Sequence, residues 1–341
     1  MNGSISQIAR EAGVSKMTIS RVLNGHPHVS EKTRRKVERI VRERRFHVNL
    51  AARHLSSGSR FNMAAIVTGL EDLFLNNTYH ALIRSIDEAM TKRGHAIALF
   101  NIPRTTNLVS TEPTLEMLAA NYESLIFKGV ILLGPPKNDA RIKFLAERGV
   151  RGLVVCSEKI ADGFGSIDVD NADGIRQVVD LLVARGHRRI GFVEGPRNLS
   201  DARERSATFF SAARKHGLKV DRNDVVAGGF TREGGRAAAE HWLKNGELPD
   251  AIVAANDDMA LGLCDVFLKN GIRIPDQISI TGFDGTVLAS QLEPELTTVA
   301  QPIAAMGEAV ADAIANEQFD IQVCLPPTLI PGRSVAQVPA A

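Results

Sequence analysis

The chain has 341 residues, 44% hydrophobic and 23% charged, which supplies apolar material for packed cores and excludes a disordered or low-complexity protein. Its formal charge of +2 conceals a division: residues 1–60 carry 13 Lys/Arg against 4 Asp/Glu, while residues 61–341 carry 28 against 35. Three widely spaced cysteines exclude a disulfide framework, and no apolar run is long enough to span a membrane.

A basic block joined to an acidic body has the footprint of a nucleic-acid-binding head. Ser4-Ile5-Ser6-Gln7 opens it as a capping pair, Ile8, Ala9 and Ala12 share one helix face, and Gly13 supplies a left-handed stop. Ser15 caps a second helix over 16–23. Its Ile19, Val22 and Leu23 must face the first, which turns Lys16, Met17 and Arg21 outward. Two helices joined by so short a Gly-containing turn form a helix-turn-helix, whose second helix enters the major groove by its N-terminal end. A third helix runs from Ser30 through Val37, Ile40, Val41 and Phe46, with eight Lys/Arg between 32 and 45 suited to phosphate contact.

The small, polar stretch Ser56-Ser57-Gly58-Ser59-Arg60 marks a domain boundary. Beyond it, strand-like runs at 64–68, 96–101, 129–133, 152–156, 190–194, 251–254 and 278–282 alternate with helical patterns at 79–93, 139–148, 172–185, 202–216, 232–244 and 257–270. That alternation predicts an α/β body of two doubly wound lobes, each a parallel sheet covered by helices, beside an all-α head. Ligands in such folds bind beyond the carboxyl ends of the strands. Asn256-Asp257-Asp258, Phe283-Asp284 and Phe230, before the Thr231-capped helix, all fall at such ends. Carboxylates and amides that take paired hydroxyls, with an aromatic face for the C–H side, suit a polyol.

Residues Ala9 to Gly25, Val29 to Arg34 and Asn49 to Leu55 resemble the head of the lactose/galactose repressor (LacI/GalR) family, and the resemblance continues to about Ser334. It implies a cytoplasmic, sequence-specific DNA-binding repressor, dimeric on a pseudo-palindromic operator and controlled by a small ligand, a sugar or sugar derivative. Lys16, Met17 and Arg21 are implied as base readers, with Ser15, Thr18, Asn24 and Arg35 as further DNA contacts. Asn49, Ala52 and Leu55 belong to an implied hinge helix whose leucine wedges into the minor groove. The chain departs from the family by carrying Val48 where a proline usually precedes the hinge.

The body implied is a periplasmic-binding-protein-like pair of lobes, the first near 61–167 and 300–325, the second near 168–299 and 326–338. The resemblance places Arg205, Phe230, Asn256 and Asp284 in the effector cleft, and adds Asn76, Tyr79, Ser157 and Glu158 from the first lobe. Alternatives open at this level are a purine or phosphorylated coeffector, or an activator. Against a purine stands Thr78, where family purine binders place an aromatic residue.

Other patterns lead away from catalysis. Gly228 to Gly235 lacks dinucleotide-loop spacing, and no G-x-x-x-x-G-K-[ST] occurs. A glycosidase using Asp257, Asp258 or Asp284 would leave the basic head unexplained; capping of the helix that follows explains Asp257 and Asp258 better than shared acid–base work, and for Arg203 a place in the cleft and simple pairing with Glu204 or a helix end are both open. Nine histidines show no metal-ligand spacing, no cofactor motif is present, and the absence of a signal peptide argues against a periplasmic solute-binding protein. The C-terminal residues carry no heptad repeat for a coiled-coil tetramer.

Overall fold

The structure, a computed structural model, describes residues 5–23, 29–44, 62–69, 76–103, 111–218 and 220–338. The chain forms two compact units, Met1–Ser59 and Arg60–Ala341.

In the first unit, helices α1 (Ile5–Ala12), α2 (Lys16–Leu23) and α3 (Glu31–Glu43) enclose a core of Ile8, Ala9, Ala12, Ile19, Val22, Val37 and Ile40. Gly13, at φ +66°, stops α1: the Val14 N–H donates to Ala9 O at 3.0 Å and the Gly13 N–H to Arg10 O at 3.2 Å. These bonds satisfy carbonyls that the helix end would otherwise strand. The Ser15 hydroxyl accepts from the Thr18 N–H at 3.1 Å, and Ser30 from the Thr33 N–H at 3.3 Å, so both expected caps are in place. Arg44 pairs with Glu11 at 3.1 Å and ties the end of α3 to α1. Ser4 and Phe46 lie outside the described residues.

The second unit holds two parallel sheets. The larger runs β2 (Ala96–Asn101), β1 (Met63–Thr68), β3 (Val130–Leu133), β4 (Gly152–Val155), β5 (Phe164–Val169), β11 (Gln322–Leu325). Along β1 the side chains alternate between two cores. Ala64 and Ile66 pack with Leu82, Ile86, Val310 and Ile314 of helices α4 (Asn77–Lys92) and α12 (Ile303–Ala315); Ala65 and Val67 pack with Leu115, Leu118 and Leu145 of α5 (Glu112–Glu123) and α6 (Ala140–Glu147). Helices therefore cover both faces, and β3 and β4, buried throughout, read as unbroken apolar runs. Helices α4 and α12 approach closely at Gly307, where a Cβ would stand 2.2 Å from Ser85 Oγ.

The smaller sheet runs β7 (Val225–Ala227), β6 (Ile190–Glu194), β8 (Ala251–Ala254), β9 (Ser279–Thr281). One core joins it to α7 (Asn171–Ala184), α8 (Ser200–Lys215), α9 (Arg232–Asn245), α10 (Asp257–Lys269) and the single turn α11 (Val287–Ser290), through Ala289. An antiparallel ribbon of β10 (Thr298–Ala300) and β12 (Thr328–Ile330) continues it through single bridges Thr281–Thr297 and Asp284–Ala300. The chain passes between the sheets three times: after β5, between β10 and α12, and between β11 and β12. The first and third passages touch, the Asp170 N–H donating to Leu325 O at 2.9 Å. Strand β5 runs to Val169, two residues past the expected division at 167, because Ser166 to Val169 pair in register with Gln322 to Leu325.

Several elements were not among the sequence expectations. Strand β5 (FGSIDV) interrupts its apolar pattern with Gly, Ser and Asp, β7, β10 and β12 are three residues long, and α12 is small and apolar around most of its circumference.

Candidate functional site

On the head, Met17 is 65% exposed, and Lys16, Arg21 and Ser15 are exposed beside it on the first turns of α2. Burial of Ile19 and Val22 forces that orientation. The Ser15 hydroxyl is engaged with Thr18, whose Oγ1 lies 2.9 Å away, so this serine orders the recognition turn as well as facing outward. Arg35 is exposed and pairs with Glu31 one turn earlier at 3.1 Å, a solvent-screened pair of little strength that a phosphate can displace. Asn24, Asn49, Ala52 and Leu55 lie outside the described residues.

In the body, the carboxyl ends of both sheets converge on one cleft of about 330 Å³, open mouth included, lined by Asn76, Thr78, Tyr79, Cys156, Asp201, Arg205, Phe230, Asn256, Asp284 and Gln301. Asn76 caps α4 by accepting from the Tyr79 N–H at 2.9 Å, which sets the first turn of that helix against the cleft. Asn256 caps α10 in the same way through Met259 (3.0 Å), and its Nδ2 donates to Phe230 O at 3.2 Å. Phe230 is held at φ 63° and Asp284 at φ 122°, conformations that L residues adopt only where surroundings impose them. For Asp284 the imposing contacts are its N–H to Val299 O (2.7 Å) and its C=O to the Gln301 N–H (3.1 Å).

Asp284 is the centre of the arrangement. Its Oδ1 accepts from Gln301 Nε2 at 2.7 Å and lies 3.5 Å from an Arg205 terminal nitrogen; its Oδ2 accepts from the Thr78 hydroxyl at 2.7 Å. Burial pushes its carboxyl up to about 6, against the opposing pull of Arg205. Arg205 is fixed on every side: Nε donates to Asn171 Oδ1 (2.8 Å), Nη1 to Ala255 O (2.7 Å), and the guanidinium lies over the Phe283 ring at 3.7 Å. Two carboxylates, a guanidinium, three side-chain amides and two aromatic rings thus line one cavity, a set rich in hydrogen-bonding groups with apolar faces beside them.

Six expected cleft residues, Asn76, Tyr79, Arg205, Phe230, Asn256 and Asp284, are therefore brought together. Ser157 and Glu158 are not. The chain turns at Cys156, with φ 57°, so that Cys156 faces the cleft and the next two residues pass it. Ser157 is fully buried between Pro135 O and Ser200 Oγ, whereas Glu158 is exposed and pairs with Arg203 at 3.0 Å; both join the lobes outside the cavity. Arg203 thus pairs across the lobes and not with Glu204.

Asp257 also differs from expectation. The cap of α10 is Asn256, while the Asp257 carboxylate, wholly buried, accepts from the Thr286 N–H at 2.7 Å and the Thr298 hydroxyl at 2.5 Å, bracing the turn that carries Asp284. Burial, then the nearby Asp284 charge, push it up to about 7. Asp258 accepts from Asn77 Nδ2 at 3.0 Å, across the lobes.

Cys156, Asp201 and Gln301 were not assigned to the cleft from sequence, and Thr78 entered only as the position where a purine binder would carry an aromatic residue. Asp201 stands four residues before Arg205, hence on the same helix face, and that spacing could have found it. Gln301 follows β10, a strand too short to read.

A small core presenting an exposed recognition helix, in a chain whose second unit is a two-lobed α/β body around a polar cleft, defines a ligand-controlled DNA-binding regulator. Residues 4–49 match the bacterial regulatory proteins of the lacI family, and residues 179–335 match the periplasmic binding protein-like domain. The regulator CelR of Thermobifida fusca is 31% identical over 320 residues, 92% of this chain and 91% of that protein. Catabolite control protein A of Priestia megaterium is 29% identical over 309 residues, 90% of each. The lac repressor dimer bound to operator and the anti-inducer ONPF superposes with a TM-score of 0.85 at 26% identity, covering 98% of this chain and all of that one. The CelR–cellobiose complex gives 0.71 at 28% identity over the same shares. The chain belongs to the LacI family and is a DNA-binding transcriptional repressor. No helix among the described residues is long and apolar enough to cross a membrane.

Proposed function

We propose that this repressor acts in the cytoplasm as a dimer, each head reading one half of a pseudo-palindromic operator, and that its body binds a sugar or sugar derivative between the lobes, without catalysis or cofactor. The observation that carries this reading is the meeting of Asn76, Thr78 and Tyr79 from one lobe with Arg205, Phe230 and Asp284 from the other around a single cavity. A ligand touching both sides shifts the angle between lobes; coupled to the hinge segment and its wedge residue Leu55, that shift alters operator affinity by ~1–3 kcal/mol. Dimerisation follows from the economy of recognition, since one three-helix head covers too few base pairs to be selective.

A thermal-shift screen of the full chain against sugars, sugar phosphates and nucleobases tests the effector class, because ligand at 100 times its dissociation constant adds ~2.7 kcal/mol. Stabilisation by a sugar that also shifts operator binding is the expected result. Stabilisation by nucleobases alone overturns the sugar assignment, and turnover of a sugar substrate overturns the non-catalytic one.

A further inference from the structure

Of the three passages that join the lobes, two are reached by hydrogen bonds that start at Asp284. Its Oδ1 accepts from Gln301 Nε2 at 2.7 Å, and its C=O accepts from the Gln301 N–H at 3.1 Å. Gln301 belongs to the second passage, between β10 and α12, so that passage is gripped directly. The same Oδ1 lies 3.5 Å from Arg205, and beyond Arg205 stands a further residue. Arg205 Nε donates to Asn171 Oδ1 at 2.8 Å, and Asn171 Nδ2 donates onward to Val169 O at 3.1 Å and to Glu204 Oε2 at 3.3 Å. Val169 is the last residue of β5, in the sheet of the first lobe, and Asn171 is the first of α7, in the second. The Asn171 side chain therefore spans the first passage, and the Asp170 N–H within it donates to Leu325 O of the third at 2.9 Å. Asn171 is wholly buried. A buried amide is costly unless both its ends are engaged, and this one accepts from a guanidinium at one end while donating to a backbone carbonyl at the other.

Resting on the effector reading above, we propose that Asn171 is the positioning residue that couples the cleft to the angle between the lobes. A sugar that replaces Thr78 on Asp284 and draws on Arg205 shifts the end of β5 through Asn171, while Gln301 carries the same displacement to the start of α12. Asn171 is not among the described residues that line the cavity, so its contribution is to transmission and not to affinity. A chain of hydrogen bonds carries coupling where it ends on an element with two arrangements, and the passages between the lobes are the segments whose backbone must turn when the lobes do.

The test uses the full-length protein, glucose, galactose and ribose as probes, and an operator selected from random DNA by repeated binding. Calorimetry gives the affinity for the sugar that binds, and gel retardation gives operator affinity with and without that sugar at saturation. In wild type the sugar should shift operator affinity by about 5- to 150-fold. Asn171→Asp keeps an oxygen for Arg205 and sets an acceptor against Val169 O, so sugar affinity should stay within about threefold while the operator shift falls to within about twofold of none. Asn171→Ala, which cuts both ends, should lose the operator shift as well. A residue that merely propped Arg205 would behave otherwise, the aspartate restoring a wild-type shift. That result, or loss of sugar binding in Asn171→Asp, overturns the proposal. Hydrogen exchange in the ligand-free chain decides it without an effector or an Asn171 variant. Asp284→Ala should quicken exchange of the Asp170 and Ile303 amides, bonded to Leu325 O and Gln301 O, by at least about threefold relative to those of β3, and unchanged rates there overturn the coupling. If none of the sugars binds, the sugar reading falls by itself, and the exchange comparison still decides the role of the network.

Discussion

The Thr78 hydroxyl, in the first turn of α4, donates to Asp284 Oδ2 at 2.7 Å, so a side chain of one lobe occupies a carboxylate of the other in the manner proposed for an effector hydroxyl. Asn77 to Asp258 at 3.0 Å and Arg203 to Glu158 at 3.0 Å span the same gap. The lobes are thus joined by short polar contacts, and on the sugar reading proposed above Asp284 is the group whose contact a ligand hydroxyl would replace.

Asp284→Ala should accordingly weaken binding of the sugar identified by the screen. Loss of charge-assisted bonds and stranding of ligand hydroxyls together amount to about 2–4 kcal/mol, roughly 30- to 1000-fold in affinity. Operator binding by the ligand-free protein should persist, because the head keeps its own core. Calorimetry checks the first expectation and gel retardation the second; wild-type sugar affinity in the variant removes Asp284 from the site.

On the head, Arg21 is exposed on the recognition helix, suited to bidentate contact with guanine. Arg21→Ala should cost ~1–3 kcal/mol at one symmetric operator position and relax the preference there, whereas Arg35→Ala should weaken all sequences alike and reduce the salt slope. Competition binding on operator and random DNA separates the two. Equal losses on both DNAs for Arg21→Ala would refute its role as a base reader.

Asp257 predicts a pH dependence of stability. Its carboxyl is raised from the ordinary value of 3.8 to about 7 by burial and by Asp284, and it faces the Thr298 hydroxyl and Thr286 N–H. The fold therefore holds a proton that the unfolded chain releases. The resulting stabilisation is complete below about pH 4 and lost as pH rises to about 7. Asp257→Asn preserves shape, with Thr298 accepting where it now donates, and removes this dependence. The melting temperature of the variant relative to wild type should rise steadily from pH 4 to pH 7 and level off above; a constant difference across that range would count against a buried, protonated Asp257.

Gly307→Ala tests the close approach of α4 and α12. The added Cβ would lie 2.2 Å from Ser85 Oγ and 2.8 Å from the Ser85 carbonyl carbon, so backbone must shift along with side chain. Overpacking of this kind costs about 1–3 kcal/mol, visible as a lower melting temperature of the body. An unchanged transition would mean that the two helices separate freely.

The helix-turn-helix was legible because Ser15, Gly13 and the spacing of Ile8, Ile19 and Val22 express local rules. The alternation of the body was legible for the same reason, its central strands being continuous apolar runs. What escaped were elements stabilised only by partners distant in sequence. Strand β5 pairs with β11, more than 150 residues later, and β10 pairs with β12 across the whole of α12 and β11. Gln301 was hidden with them, and Asp257 passed for a cap because its true partners, Thr286 and Thr298, lie 29 and 41 residues away. Ser157 and Glu158 stand outside the described cavity because the chain makes a left-handed turn at Cys156, a residue type that gives no warning of one.

The three passages between the sheets also govern the order in which the newly made chain can mature. Strand β11 completes the first sheet at residues 322–325, and β12 completes the ribbon beside the second at 328–330. Neither lobe has its full set of strands until residues 322–330 have been made, whereas the described core of the head is contained in α1 to α3, within residues 5–43. During synthesis, a folded reader of DNA precedes by nearly 300 residues the apparatus that controls it.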